Sequence, residues 1–150
     1  MRVVVQRCSK ASVSVNGKLI NEIGKGLMVL VGFTQNDTET EIDYCVKKVS
    51  NLRIFDDENG VMNKSVIDIQ GQVLSISQFT LYANPYEGNR PSYIKALNGE
   101  ESVKLYDLFN KKLSDIIPTK SGVFGADMKI DFINDGPVTI IIDTEEKSRK

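Results

Sequence analysis

The stretch that most constrains the fold is Val73–Ala83, Val-Leu-Ser-Ile-Ser-Gln-Phe-Thr-Leu-Tyr-Ala. Its β-branched and aromatic residues favour a strand. The spacing predicts a one-sided strand, with Val73 facing in and Leu74 out. Gly71 precedes it, and a loop rich in Asn, Pro and Gly follows at 84–91. A strand that ends in Ser77-Gln78-Phe79-Thr80 sets hydroxyl, amide and backbone N–H groups at the rim of a sheet. Loops on a rigid scaffold are where function concentrates. An ordinary central strand with satisfied hydroxyls would carry the same pattern.

The remaining segments must pack around that strand. Arg2 to Gln6 reads as a buried strand. Ala11 to Val15 alternates and meets Asn16-Gly17, a type I′ hairpin signal, with Lys18 to Ile23 returning. Leu27 to Val31 is continuously apolar, as in a central strand buried on both faces. Thr38-Glu39-Thr40-Glu41 has capping-box spacing. Ile42, Cys45, Val46, Val49 and Leu52 then recur at helical period, predicting a helix over 39–53. Met62 to Gln70 reads as irregular, and Pro91 to Ile94 as the start of a short helix. Asn98 before Glu100 and Glu101 marks a second N-terminus, with apolar positions continuing to about Ile116. Met128, Ile130 and Phe132 alternate with charges. Asp135-Gly136-Pro137 interrupts, and Val138 to Ile142 closes the chain as a last strand. Helical and strand periods do not alternate as βαβα, so the class is α+β rather than a doubly wound sheet. The expected organisation is one domain over 1–143 and a charged, flexible tail over 144–150.

Composition narrows the chemistry. The chain has 150 residues, 41% hydrophobic and 26% charged, which suits one folded domain. A net charge of −1 argues against a broad nucleic-acid-binding surface, though not against a local basic patch. Cys8 and Cys45 have no metal or disulfide spacing, and Cys45 falls on the apolar face of the first helix. Asp56-Asp57-Glu58-Asn59-Gly60 lacks the spacing of a calcium loop and reads as a solvated turn. There is no histidine. That removes Ser-His-Asp and Cys-His catalysis and the commonest metal ligand. Neither metal nor cofactor is expected. No apolar run is long enough to span a membrane, and a cytoplasmic location is expected.

Ser77-Gln78-Phe79-Thr80-Leu81 together with Asn134-Asp135-Gly136-Pro137-Val138-Thr139 resembles the paired signatures of the D-aminoacyl-tRNA deacylases. Val5-Gln6-Arg7, Ala11-Ser12-Val13, Arg53-Ile54-Phe55, Met62-Asn63, Arg90-Pro91-Ser92 and Phe124-Gly125-Ala126-Asp127-Met128 extend the resemblance from residue 1 to about 143.

The resemblance implies a homodimer built on a curved, half-barrel-like mixed or antiparallel sheet, with two main helices packed on one face. It implies hydrolysis of the ester between a D-amino acid and the 3′ acceptor end of tRNA, and removal of glycine from mischarged tRNA. Gln78, Phe79 and Thr80 would form the catalytic segment, and Ser77 would take part in substrate binding and chiral selectivity. Backbone N–H groups at a strand end can stabilise an oxyanion. Thr80 as nucleophile would need an adjacent base, and with no histidine the 2′-hydroxyl of the terminal ribose is favoured to activate water. Gly136-Pro137 would reach into the partner subunit's site as a backbone wall that rejects an L side chain. As sequence, the same pair reads equally as an edge-strand break. Phe124 and Met128, with Phe79, would hold the terminal adenine, or would serve as plain core residues. Arg7, Lys10 and Arg90 are candidates for tRNA phosphates, or solvated surface charges. Two other readings stay open: a different small-ester or amide hydrolase, and a non-catalytic dimeric module binding tRNA ends or nucleotides.

Overall fold

Residues 1–148 are described by the computed structural model. A 14-residue strand, β1 (Arg2–Val15), forms its spine and pairs along both edges. At Asn16 and Gly17 φ is 52° and 76°, the left-handed pair that a type I′ turn requires. β2 (Lys18–Ile23) returns along the second half of β1, and β3 (Gly26–Gly32) pairs with its first half, both antiparallel. The chain then leaves the sheet through α1 (Glu39–Asn51) and the hairpin β4 (Phe55–Asp56) and β5 (Met62–Lys64). It re-enters as β6 (Gln72–Ser77), parallel to β3. After α2 (Gly99–Ser114), β7 (Thr119–Ser121) lies parallel to β6. β8 (Met128–Asp143) runs antiparallel along the other edge of β1.

The sheet is therefore mixed, and it curls until its ends nearly meet. The Asn21 side-chain amide donates to the Ser121 carbonyl at 2.6 Å, and the Lys120 ammonium to the Glu22 carbonyl at 2.9 Å, closing β7 toward β2. Period-2 alternation divides the side chains between two cores. Val3, Val5, Leu27, Val29, Val31 and Val73 face Ile42, Cys45 and Val49 of α1 and Tyr106, Phe109 and Leu113 of α2. Cys8, Ala11, Val13, Met28, Leu74 and Ile76 fill the inside of the curl. Both helices thus pack on one face, as expected. Burial raises the Cys45 thiol to about 12 and the Cys8 thiol to about 11, so both are protonated packing residues at neutral pH.

Several local expectations need correction. β6 is not one-sided: Val73, Leu74, Ser75 and Ile76 are all buried, because β6 lies between two cores. It also ends at Ser77, and Phe79–Tyr82 is a 3-10 turn. Pro91 to Ile94 forms no helix; Ser92 bridges to Asn84 and Ala96 to Thr34. Gly136-Pro137 does not split β8, whose ladder with β1 resumes from Thr139 opposite Gln6, leaving residues 135–138 bulged outward. The expected tail opens as a short helix, α3 (Thr144–Ser148); the Thr144 N–H donates to the Met1 carbonyl at 3.0 Å. The last two residues lie outside the described ones.

Candidate active site

Because β3 and β6 are parallel, both carboxyl ends emerge on the same side, and a cavity of about 620 Å³ opens there. Its walls come from Val31-Gly32-Phe33 at the end of β3 and Ile76 to Phe79 at the end of β6. The loop before α2 adds Tyr93, Ala96 and Leu97, and the turn into β8 adds Phe124 to Met128. The volume is that of a small-molecule site.

Each wall is held by identifiable contacts. The Gln78 N–H donates to the Val31 carbonyl at 2.7 Å, extending the β3–β6 ladder by one residue. Gly32 is required by close approach: a β-carbon there would stand 2.8 Å from the Gln78 carbonyl oxygen. The chain then turns, and the Leu81 N–H donates to the Gln78 carbonyl. A 3-10 turn leaves its first N–H groups without intrahelical acceptors. Among the described residues, neither Phe79 nor Thr80 donates its N–H to a protein acceptor. The Gln78 side-chain amide donates to the Thr80 hydroxyl oxygen at 2.5 Å. Behind the turn, Arg2 donates to the Leu81 carbonyl at 2.7 Å and to Asp143 at 3.0 Å, and lies over the Tyr82 ring at 4.4 Å. The Phe79 ring is 58% exposed and meets Tyr93 edge-on at 5.1 Å. Phe124 leans on Tyr106, whose hydroxyl donates to the Ser75 carbonyl at 2.7 Å, tying α2 to β6 beneath the cavity.

The expected residues divide accordingly. Ser77, Gln78, Phe79, Phe124 and Met128 line the cavity. Thr80 is joined to it through Gln78. Gly136 and Pro137 are not among the lining residues; they lie exposed on the bulge of β8, joined by a cis peptide bond. Arg7 belongs to that bulge. Its side chain is only 11% exposed, and it donates to the Asp135 carbonyl at 2.9 Å and the Ile54 carbonyl at 2.8 Å. It stands 3.6 Å from the Asp56 carboxylate. Through these bonds Arg7 braces the bulge. Lys10 is exposed midway along β1, and Arg90 is exposed on the loop over 84–92.

Sequence reasoning did not single out Gly32, Tyr93, Ala96 and Leu97 as site residues. The loop that carries three of them has no period; it is fixed by distant residues, with Thr34 and Gln35 binding the Lys95, Ile94 and Ala96 carbonyls and the Leu97 N–H donating to the Phe33 carbonyl. Asp127 is the one carboxylate among the lining residues; it is exposed and pairs with Lys129 at 3.2 Å. No group of three or more metal-ligating side chains occurs among the described residues. The cavity thus offers apolar and aromatic walls, amides, hydroxyls and unpaired backbone donors, an arrangement suited to binding a flat ring and stabilising negative charge on oxygen.

Comparison with known proteins places this geometry. The family model described as D-Tyr-tRNA(Tyr) deacylase matches residues 4–143. A protein of Bacteroides fragilis (strain YCH46), named D-aminoacyl-tRNA deacylase, is 56% identical over 149 residues, covering 98% of this chain and 99% of its own. Among solved structures, the c-Myc DNA Unwinding Element Binding Protein superposes with a TM-score of 0.91 at 41% identity, covering 95% of this chain and 98% of its own. A probable eukaryotic D-amino acid tRNA deacylase superposes at 0.80 with 18% identity, covering 94% and 97%, a likeness of fold.

Proposed function

The chain belongs to the D-Tyr-tRNA(Tyr) deacylase family, and from that premise we propose that it hydrolyses the ester of D-aminoacyl-tRNA, releasing the D-amino acid and free tRNA. The observation that carries the mechanism is the pair of unpaired N–H groups at Phe79 and Thr80, beside a cavity whose one carboxylate, Asp127, is exposed and paired with Lys129. Attack of water on the ester carbonyl makes an oxyanion. Those two donors receive it; one such donor is commonly worth about 3–4 kcal/mol in the transition state. Gln78 holds the Thr80 hydroxyl and so keeps the turn in register with the substrate. With no histidine in the chain, Thr80 lacks the neighbour that would make it a nucleophile. The 2′-hydroxyl of the terminal ribose, adjacent to the ester, orients and activates the water. Phe79, Phe124 and Met128 receive the adenine by stacking and apolar contact.

The chiral filter is Gly136-Pro137 supplied by a second copy of the chain. The pair is exposed, outside its own cavity, and braced by Arg7. A rigid backbone against the α-carbon admits a D side chain or none and collides with an L side chain. Glycyl-tRNA is therefore also a substrate. A cytoplasmic location accords with these substrates. No helix among the described residues is long and apolar enough to cross a membrane.

The test is hydrolysis of D-tyrosyl-tRNA and L-tyrosyl-tRNA in parallel. Rapid loss of the D ester with the L ester spared is expected. Equal loss of both would remove the wall, and binding without hydrolysis would leave a non-catalytic tRNA-end module.

A further inference from the structure

A cavity of this size holds a nucleoside and its amino acid, so the rest of the tRNA strand must leave through the mouth. One side of that mouth is the segment over 84–96. Its end is built into the cavity wall at Tyr93 and Ala96. Its base is a pair of backbone hydrogen bonds between Asn84 and Ser92, at 2.7 and 2.9 Å. Between them the chain projects as a loop, and the Asn84 side chain accepts the Tyr86 N–H at 3.0 Å. The loop is thus tied at both ends, yet Tyr86 is 91% exposed and Ile94 85% exposed. Large apolar side chains on a well-tethered loop beside a binding cavity mark a contact surface. Arg90 and Lys95 outweigh Glu87 and leave the same loop net positive in a chain of net charge −1.

We propose that this loop is a second subsite, on which the unpaired nucleotides preceding the terminal adenosine rest, with a base stacked on Tyr86 and Arg90 facing a phosphate. This rests on the deacylase reading above. An aromatic platform beside isolated cations is the combination that single-stranded nucleic acid recognises without regard to sequence. The loop is continuous with the cavity through Tyr93, which touches Phe79. A strand leaving the adenine pocket past Phe79 meets this surface next.

The experiment compares Tyr86→Ala with the unaltered protein on two substrates, D-tyrosyl-tRNA and D-tyrosyl-adenosine, the second lacking every nucleotide the loop would hold. The quantity read is the ratio of kcat/KM for tRNA to that for the adenosine ester. Loss of one stacked base is expected to lower that ratio about fivefold or more, chiefly through KM. Arg90→Gln should reduce the slope of log(kcat/KM) against log salt for tRNA by about 0.7, one phosphate's worth on a single strand. An unchanged ratio and an unchanged slope would overturn the subsite while leaving the deacylase reading intact. Dissociation of a dimer by Tyr86→Ala would overturn it in favour of a subunit contact. Hydrolysis of neither substrate by the unaltered protein would overturn the deacylase reading and the subsite with it.

Discussion

At the scale of single residues, the candidate site depends on backbone placed where side chains cannot go. Gly136 has φ +129°, a region L side chains rarely adopt, and a β-carbon there would lie 2.8 Å from a Val138 methyl and 3.0 Å from the Arg7 guanidinium. Gly136→Ala therefore strains the bulge and pushes against its brace together, at a cost of order 1–3 kcal/mol. If this bulge is the chiral wall, displacing it opens room for an L side chain. The D-over-L preference in kcat/KM is expected to shrink about tenfold, the equivalent of some 1.4 kcal/mol. Retention of the full preference, with only a lower melting temperature, would separate the bulge from selectivity. Arg7 illustrates what composition cannot tell. As a basic residue it suggests a phosphate, and its sequence position gives no sign that two of its donors bind carbonyls from distant parts of the chain.

At the scale of elements, what was legible followed period and capping, and what was not followed tertiary pairing. The α1 boundary was readable because Thr38 and Glu41 act locally: the Thr38 N–H and hydroxyl both donate to the Glu41 carboxylate, at 2.7 and 2.9 Å. The Thr38 hydroxyl oxygen also accepts the Thr40 N–H at 3.3 Å. Burial tends to raise the Glu41 carboxyl, but the Thr38 bonds outweigh it and hold the group below the ordinary glutamate value. A carboxyl lowered in the folded state stabilises fully above its unfolded value and loses that contribution as pH falls through the folded one. Thr38→Ala should thus cost about 1 kcal/mol near neutrality. The deficit relative to the unaltered protein should narrow below about pH 4, near the ordinary glutamate value. Urea denaturation at pH 7 and pH 3 measures both, and an equal deficit at the two values would assign the effect to helix propensity alone. The end of β6 was misread because Phe79-Thr80-Leu81-Tyr82 has strong strand propensity. Parallel pairing with β3 stops at Ser77, and Arg2 draws the next residues into a 3-10 turn through the Leu81 carbonyl. Likewise, no local pattern shows that Tyr93 and Ala96 are cavity wall, since Thr34 and Gln35 hold them there from sixty residues away.

At the scale of the whole molecule, the curl of the sheet explains why a second copy is invoked. β8 pairs with β1 along one edge only, and Ile133 and Ile141 on it are 51% and 70% exposed. A long edge strand with exposed isoleucines is a surface that proteins normally cover. The exposed Gly136-Pro137 bulge belongs to this same strand and lines no part of its own cavity. If two chains associate so that each bulge walls the other's cavity, a cavity-defective variant and a wall-defective variant should complement one another. Co-expression of Phe79→Ala with Gly136→Ala provides the test, since a mixed dimer has one cavity and one wall unaltered and facing each other. Random pairing in a closed two-fold dimer makes half the dimers mixed, each with one intact site. D-selective turnover should then recover to about a quarter of the unaltered level per chain. Phe79→Ala alone would stay slow on both esters, and Gly136→Ala alone would hydrolyse the D ester with its preference over the L ester diminished. No recovery in mixtures shown to contain mixed dimers would mean that cavity and wall act within one chain, and the bulge would then have to reach its own cavity by a movement of β8. Recovery near a quarter would make the dimer the catalytic unit, with the exclusion of L-amino acids a property that one folded chain does not have.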